Sequence, residues 1–344
     1  MTVLFYVSGH GYGHATRAAE VVRAGAGRWE AIVCTTAPAR LFLSGRVEHA
    51  AVDGVVAESP DALRIDAEAT RRHWSEFLAG RAAMVEREAA YARQSGASLI
   101  VADIPFLAGE IADAAGLPCV GISNFTWNWI LEPILAGDML DQIEAGYERM
   151  REYWRLPFSH SDRLAMFPRV IDTPLIVIPP AGGAVSRRGY GRVVFVAFRG
   201  QVAPEAFRRA AAESPDTLFL TMDAAAAAGV VNARHVTVTP THSFQDFTDA
   251  SDVVIAKLGY GLASACAAGK KRLLYAPRDG FREDEITSLE VARYTAVRPI
   301  PLDEFHAGRW RGHIEAILTE PIPVERIRHD GAALCAGRIA DLLR

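Results

Sequence analysis

The chain is poor in cysteine, has no long apolar run and carries no excess of basic charge, and each shortage closes off a class of protein. Its four cysteines in 344 residues, Cys34, Cys119, Cys266 and Cys335, stand far apart in apolar stretches. No C-x-x-C spacing marks a zinc site and nothing marks a disulfide framework, which leaves buried free thiols. No apolar run reaches the roughly 18–20 residues needed to span a bilayer. The opening residues lack the charged stretch and apolar core of a signal peptide, so a cytoplasmic location is expected. The formal net charge of −4 is the wrong sign for a nucleic-acid partner, because phosphate neutralisation demands a basic face. Short basic pairs such as Arg71-Arg72 and Arg187-Arg188 read as solvated faces. No period of 20–50 residues recurs, which excludes a solenoid. No D-x-D motif stands out, and neither a metal nor a cofactor is expected.

What is present is an ordinary globular composition, 50% hydrophobic and 23% charged, at a length that suits two domains. The first half alternates short strands with helices. Strands are expected at Val3–Val7, Ala31–Thr35, Glu48–Val52, Ser98–Asp103 and Pro118–Ser123, and helices at Ala15–Arg23, Asp66–Gln94 and Phe106–Ala115. Ile130–Arg155 reads as helical. Prolines and glycines then cluster within Asp172–Gly191, which reads as a linker. A second series follows, with strands at Arg192–Phe198, Asp216–Thr221, His235–Val238, Asp252–Ala256 and Arg272–Ala276. Its helices are expected at Pro204–Ala212, Ser243–Thr248, Leu262–Ala268 and Glu283–Tyr294. Alternation of this kind implies α/β architecture with parallel sheets covered on both faces. The domains expected are 1–175, 190–328 and a closing helix at 329–344 that crosses back to the first.

Chemistry concentrates at two glycine-rich turns. Ser8-Gly-His-Gly-Tyr-Gly-His-Ala-Thr-Arg17 joins the first strand to the first helix. Glycines there let a ligand approach the backbone, and a helix start offers N–H groups to an anion. The spacing of Gly9, Gly11 and Gly13 is not that of a dinucleotide fingerprint, and no acid closes the next strand. A tight turn has no use for imidazole, so His10 and His14 point to function. Asp103 and Ser123-Asn124 fall at the carboxyl ends of strands, where such sheets bind ligands. Asn124-Phe-Thr-Trp-Asn-Trp129 sets aromatics beside amides, which suits sugar rings, although Trp127 and Trp129 cannot both face one side of a helix. The second turn, Lys257-Leu-Gly-Tyr-Gly-Leu-Ala-Ser264, also opens a helix and suits a diphosphate, with Ser264 and Lys257 as polar helpers. The charged loop Pro277–Glu285 offers Asp279 and Glu283 to sugar hydroxyls, or to the N-terminus of the helix that follows.

Taken with Phe198-Arg-Gly-Gln201 and Arg278–Glu283, these segments resemble GT-B glycosyltransferases: two Rossmann-like domains facing each other across a cleft. More narrowly they resemble the glycosyltransferase-like N-terminal region of L-arabinokinases and its stand-alone bacterial relatives. A looser likeness is to the cell-wall N-acetylglucosaminyltransferase, whose membrane docking keeps a peripheral membrane contact open. The resemblance implies an inverting, metal-independent transfer from a nucleotide diphosphate sugar, a UDP-sugar in expectation, to an unknown hydroxyl acceptor. It makes His14 the general base, Asp103 its partner and His10 the rival base. It gives the donor to Gly200, Gln201, Lys257, Gly259, Tyr260, Gly261, Ser264, Asp279 and Glu283. The acceptor falls to Gly11, Gly13, Arg17, Asn124 and Trp127, and Phe244 to the nucleobase or to the core. Ala265 and Leu262 stand where many GT-B enzymes have glutamate and threonine. That departure keeps a non-catalytic nucleotide-sugar binder open as an alternative, and an epimerase of the same fold is another.

Overall fold

Thr2–Val7 is β-branched and aromatic, and five of its six residues are buried; this is β1, the centre of the first sheet. In the computed structural model, which describes residues 1–42, 44–198 and 202–344, the chain divides into two units. One comprises Met1–Ala57, Asp66–Ile176 and Arg328–Arg344, the other Glu58–Ile65 and Val177–Ile327.

The first unit adds β2 (Glu30–Thr35), β3 (Arg46–His49), β4 (Ala97–Asp103), β5 (Cys119–Ser123), β6 (Glu152–Arg155) and β7 (Val170–Asp172). They pair in the order β3-β2-β1-β4-β5-β6-β7, and every neighbouring pair is parallel. Strand order reverses between β1 and β4, so the crevice for a ligand opens at the carboxyl ends of these two strands. Helix Ala67–Gln94 starts where Asp66 accepts the Ala69 N–H, an ordinary side-chain cap. Helix Leu107–Ala115 ends at left-handed Gly116. The helix Gly331–Leu342 lies in this unit, where Arg338 pairs with Glu152 at the start of β6.

The second unit holds β8 (Arg192–Val196), β9 (Thr217–Thr221), β10 (Ala233–His235), β11 (Val253–Lys257), β12 (Arg272–Ala276) and β13 (Val297–Pro299). Their order is β10-β9-β8-β11-β12-β13, again all parallel. The reversal falls between β8 and β11, so the turn after Lys257 sits at this sheet's switch point. The segment Glu58–Ile65 belongs here. Leu63 is buried with Val196, Phe198, Ile255 and Ala276, and the Asp279 N–H donates to the Leu63 carbonyl at 2.8 Å.

The structure corrects several expected elements. Ile130–Arg155 is not one helical run: helices Trp127–Ile130 and Gly137–Tyr147 are followed by strand β6. Glu152-Tyr-Trp-Arg155 is too short to show a period and carries β-favouring aromatics. The third strand occupies Arg46–His49 rather than Glu48–Val52, and the strand expected at His235–Val238 is Ala233–His235. The three-residue strands β7 and β13 have no sequence pattern long enough to mark them.

Candidate active site

Two glycines fix the path of the turn after β1. Gly11 caps the helix Tyr12–Ala24 with φ of 73°, which a side chain adopts only at a cost. A Cβ on Gly9 would come within 1.9 Å of Thr36 Oγ1. The turn delivers His14 into the first turn of the helix, buried at 6% exposure, with its ring edge on Phe125.

His14 and Arg17 lie three residues apart on one helix face, and both meet Asp103 at the end of β4. His14 Nδ1 is 2.8 Å from Asp103 Oδ1. Arg17 Nε donates to Asp103 Oδ2 at 2.6 Å and Arg17 Nη2 to Oδ1 at 2.5 Å, a two-pronged grip on one carboxylate. Nη1 donates to Asn124 Oδ1 and Nη2 to Ser123 Oγ, both at 2.8 Å. Nη2 also lies 2.8 Å from His14 Nδ1. Counting protons assigns the tautomer. Nη2 has two hydrogens, directed to Asp103 and Ser123, so Nδ1 is left to donate to Asp103 and the lone pair resides on Nε2. Burial alone would raise the Asp103 pKa, but the Arg17 guanidinium overrides it and holds the carboxyl below the ordinary range.

The other residues expected around this turn are placed as follows. His10 is partly exposed; its main-chain N–H donates to Ser8 Oγ at 3.1 Å and its ring stands edge-on to Trp127. Gly13 lies on the helix one residue before His14. Arg17, expected at the acceptor, is 3% exposed and holds the pair from behind. Asn124 and Trp127 are equally buried. Trp129 is buried too and stacks on His160 at 4.5 Å, so neither tryptophan presents an open face. Sequence reasoning missed Asp53. Its Oδ1 accepts the Gly54 N–H at 3.1 Å, and its carboxyl lies close enough to Ser8 and Trp127 for both to lower its pKa. Burial, the largest influence, still pushes it up to about 7. It lies in a stretch without regular structure, where no pattern announced it.

In the second unit, Gly259 caps helix Tyr260–Gly269 with φ of −109°, which any residue adopts. A Cβ there would meet no atom of the described residues within 4 Å, so neither conformation nor packing among them explains this glycine. Open space beside a helix start is what an approaching diphosphate needs. Gly261 follows in the first turn, and Tyr260 is buried. Lys257 ends β11, and burial lowers its pKa against the pull of Glu58. Ser264 is fully buried, its hydroxyl sealed from solvent and without a partner among the described residues. Asp279 is exposed and pairs with Arg64 at 3.5 Å. Glu283 is buried and taken up by Arg278 at 2.9 Å. Arg278 also grips Asp284 and donates to the Leu258 carbonyl at 2.7 Å. It thereby ties the charged loop to the glycine-rich turn. Phe244 packs on Phe195, while Gly200 and Gln201 lie outside the described residues. Among the described residues no cluster of three or more His, Cys, Asp or Glu is placed to hold a metal ion.

The kitacinnamycin glycotransferase superposes over 100% of this chain and 94% of its own, with a TM-score of 0.65 at 14% identity. The fold is GT-B. The glycosyltransferase VinC in complex with dTDP gives 0.59 at 15% identity, over 100% of this chain and 95% of its own. A structure assigned as a UDP-N-acetylglucosamine 2-epimerase from Listeria monocytogenes gives 0.59 at 10% identity, over 98% and 94%. At these identities the likeness is one of GT-B fold. No family model matches the sequence. The L-arabinokinase of Arabidopsis thaliana is 26% identical over 92% of this chain, which spans 32% of that protein's length. No helix among the described residues is long and apolar enough to cross a membrane.

Proposed function

We propose that this protein is an inverting, metal-independent glycosyltransferase that uses a nucleotide diphosphate sugar, of UDP type, and a hydroxyl acceptor. The observation that carries the reading is the 2.8 Å contact of His14 Nδ1 with Asp103 Oδ1, from which proton counting assigns the lone pair to Nε2. The acceptor oxygen attacks the anomeric carbon from the side opposite the diphosphate, and its proton passes to Nε2. The bond from that carbon to the diphosphate oxygen breaks, and the oxygen leaves with the electron pair. Asp103 then faces an imidazolium. Its carboxylate stabilises that cation, and Arg17 holds the carboxylate in place.

The first unit, with His14, His10, Gly11 and Gly13, takes the acceptor in this reading. Arg17, Asn124 and Trp127 frame it from within. The second unit takes the donor, with the diphosphate on Gly259, Tyr260 and Gly261 and with Lys257 beside it. Asp279 is the exposed carboxylate for a sugar hydroxyl. Ser264 and Glu283 support the turn from inside. VinC, of the same fold, binds a thymidine diphosphate, which supports a diphosphate nucleotide here.

A thermal-shift screen of UDP, dTDP and their sugars, followed by transfer assays on the binders, tests the reading. A ligand at 100 times its Kd adds about 2.7 kcal/mol. Transfer that survives His14→Ala but not His10→Ala overturns the choice of base. The Listeria neighbour favours epimerisation as a second reading, which predicts epimer formation from a nucleotide sugar without acceptor. Donor binding without any turnover would leave the non-catalytic reading that Ala265 and Leu262 keep open.

A further inference from the structure

Asp279, the carboxylate proposed for the donor sugar, is gripped by a piece of chain from the other half of the sequence. Glu58–Ile65 departs from the first unit, joins the second and returns. The segment is a closed loop with its own bonds. Glu58 and Ile65 form an antiparallel bridge. The Ser59 N–H donates to the Arg64 carbonyl and the Ala62 N–H to the Ser59 carbonyl, both at 2.8 Å. Asp61 Oδ1 accepts the Leu63 N–H and Ser59 Oγ accepts the Arg64 N–H, both at 3.1 Å. The turn is tight enough to hold Ala62 at φ of 55°, which only glycine adopts without cost.

This loop holds Asp279 by the main chain. The Asp279 N–H donates to the Leu63 carbonyl at 2.8 Å, and the Ile65 N–H donates to the Asp279 carbonyl at 3.1 Å. Asp279 thereby pairs with Arg64 as in a parallel ladder. Arg64 Nε also stands 3.5 Å from Asp279 Oδ2, but both side chains are largely exposed, and such a pair contributes little. The main-chain bonds are therefore the stronger hold. Their anchor is Leu63, 1% exposed in a cluster with Val196, the last residue of β8, and Ala276, the last of β12. Gly280 completes the fit from the other side. Its φ is 83°, and a Cβ there would stand 3.4 Å from the Ile65 Cβ, so a side chain would strain the turn and press on the loop.

We propose that Glu58–Ile65 is a positioning element for the donor sugar, with Leu63 as its anchor: it fixes the Asp279 carboxylate for a sugar hydroxyl and leaves the nucleotide to the turn after β11. Recognition of the sugar is then written in the first half of the sequence as well as the second. This inference rests on the reading of the second unit as the donor site.

The test uses the full-length protein, with amide hydrogen exchange and calorimetric titration of UDP, UDP-glucose, UDP-galactose and UDP-N-acetylglucosamine. In Leu63→Ala the peptide containing Asp279 exchanges faster, while β11 keeps its protection. The same variant binds the preferred UDP-sugar about tenfold more weakly but UDP within about twofold of the wild type. Gly280→Ala, which disturbs the same turn without opening a cavity, gives the same split between sugar and nucleotide. Leu63→Met, which keeps the apolar volume, stays at the wild-type values. Asp279→Ala loses the same sugar affinity, and adding Leu63→Ala to it costs nothing more, because both remove one interaction. Unchanged exchange at Asp279, equal losses for UDP and the UDP-sugar, or additive losses in the double variant overturn the proposal. A wild-type protein that binds none of the four nucleotides overturns the donor reading, and the proposal falls with it.

Discussion

Each unit buries an arginine side chain at the carboxyl edge of its sheet, Arg17 in the first and Arg278 in the second, and these two do different work. Arg17 faces one carboxylate, two neutral polar side chains and an imidazole. Arg278 faces two carboxylates and a carbonyl, and lies 4.1 Å over the Phe281 ring. With His14 neutral, the first cluster sums to zero charge, and a proton can be added to it. The second has no neutral base; its excess negative charge offsets the nearby Lys257, and its bonds tie a loop to a turn. One buried guanidinium tunes a reactive group, while the other fixes a backbone path. Burial of an arginine therefore identifies a structural keystone, and only its neighbours tell whether chemistry sits beside it.

The comparison breaks first at His14. His14→Ala is expected to lower kcat for sugar transfer by about 10²–10⁴ in a protein that still binds the donor. Arg278→Ala leaves Glu283 and Asp284 buried without a counter-charge, and urea denaturation should show a loss of about 3–5 kcal/mol. If Arg278→Ala instead abolished transfer in a protein of unaltered stability, the division between tuning and fixing would fail. Leu63→Ala removes a side chain that is 1% exposed in the core of the second unit, and should cost about 2–4 kcal/mol by the same measurement. A smaller change would mean that Glu58–Ile65 packs loosely and that Asp279 is placed by its own loop.

The His14–Asp103 pair was legible in the sequence because each residue sits next to a strong local signal. His14 opens a helix after glycines, and Asp103 ends an unmistakable apolar strand. Parallel alternation then put both at one edge without any knowledge of packing. Arg17 was legible as a site residue but not in its orientation. An i, i+3 spacing says which face it shares with His14, while the carboxylate in the middle comes from a strand 86 residues away. Asp53 lies beyond short β3 in irregular chain, where no period operates, and its neighbours Ser8 and Trp127 come from distant segments. The excursion Glu58–Ile65 was hidden for the same reason: one apolar side chain, Leu63, decides its membership, and a single residue has no pattern. The error at Ile130–Arg155 came from reading polar and apolar residues at helical spacing across what is a helix, a turn and a four-residue strand.

The finest difference within the first unit, between Asp103 and Asp53, is a matter of sign. Asp103 has a folded pKa below its unfolded value, so the stability it gives is present above the unfolded pKa and lost as pH falls through the folded one. Asp53 is the reverse. Its pKa is raised to about 7, first by burial and further by Asp103, against the help of Ser8, Trp127 and the Gly54 N–H; Tyr147 also feels its charge. The folded protein holds that proton more tightly than the unfolded chain, so stability falls as pH rises from about 4 towards 7. Asp53→Asn removes this loss, at the expense of burying an amide whose second N–H has no partner. The expected net gain at pH 8 is therefore only of order 1 kcal/mol. At pH 4 and below, where both side chains are neutral, the gain disappears. Urea denaturation of both proteins across this range decides it: a pH-independent difference would show that Asp53 stays ionised, paired more closely with Trp127 and Ser8 than its burial implies.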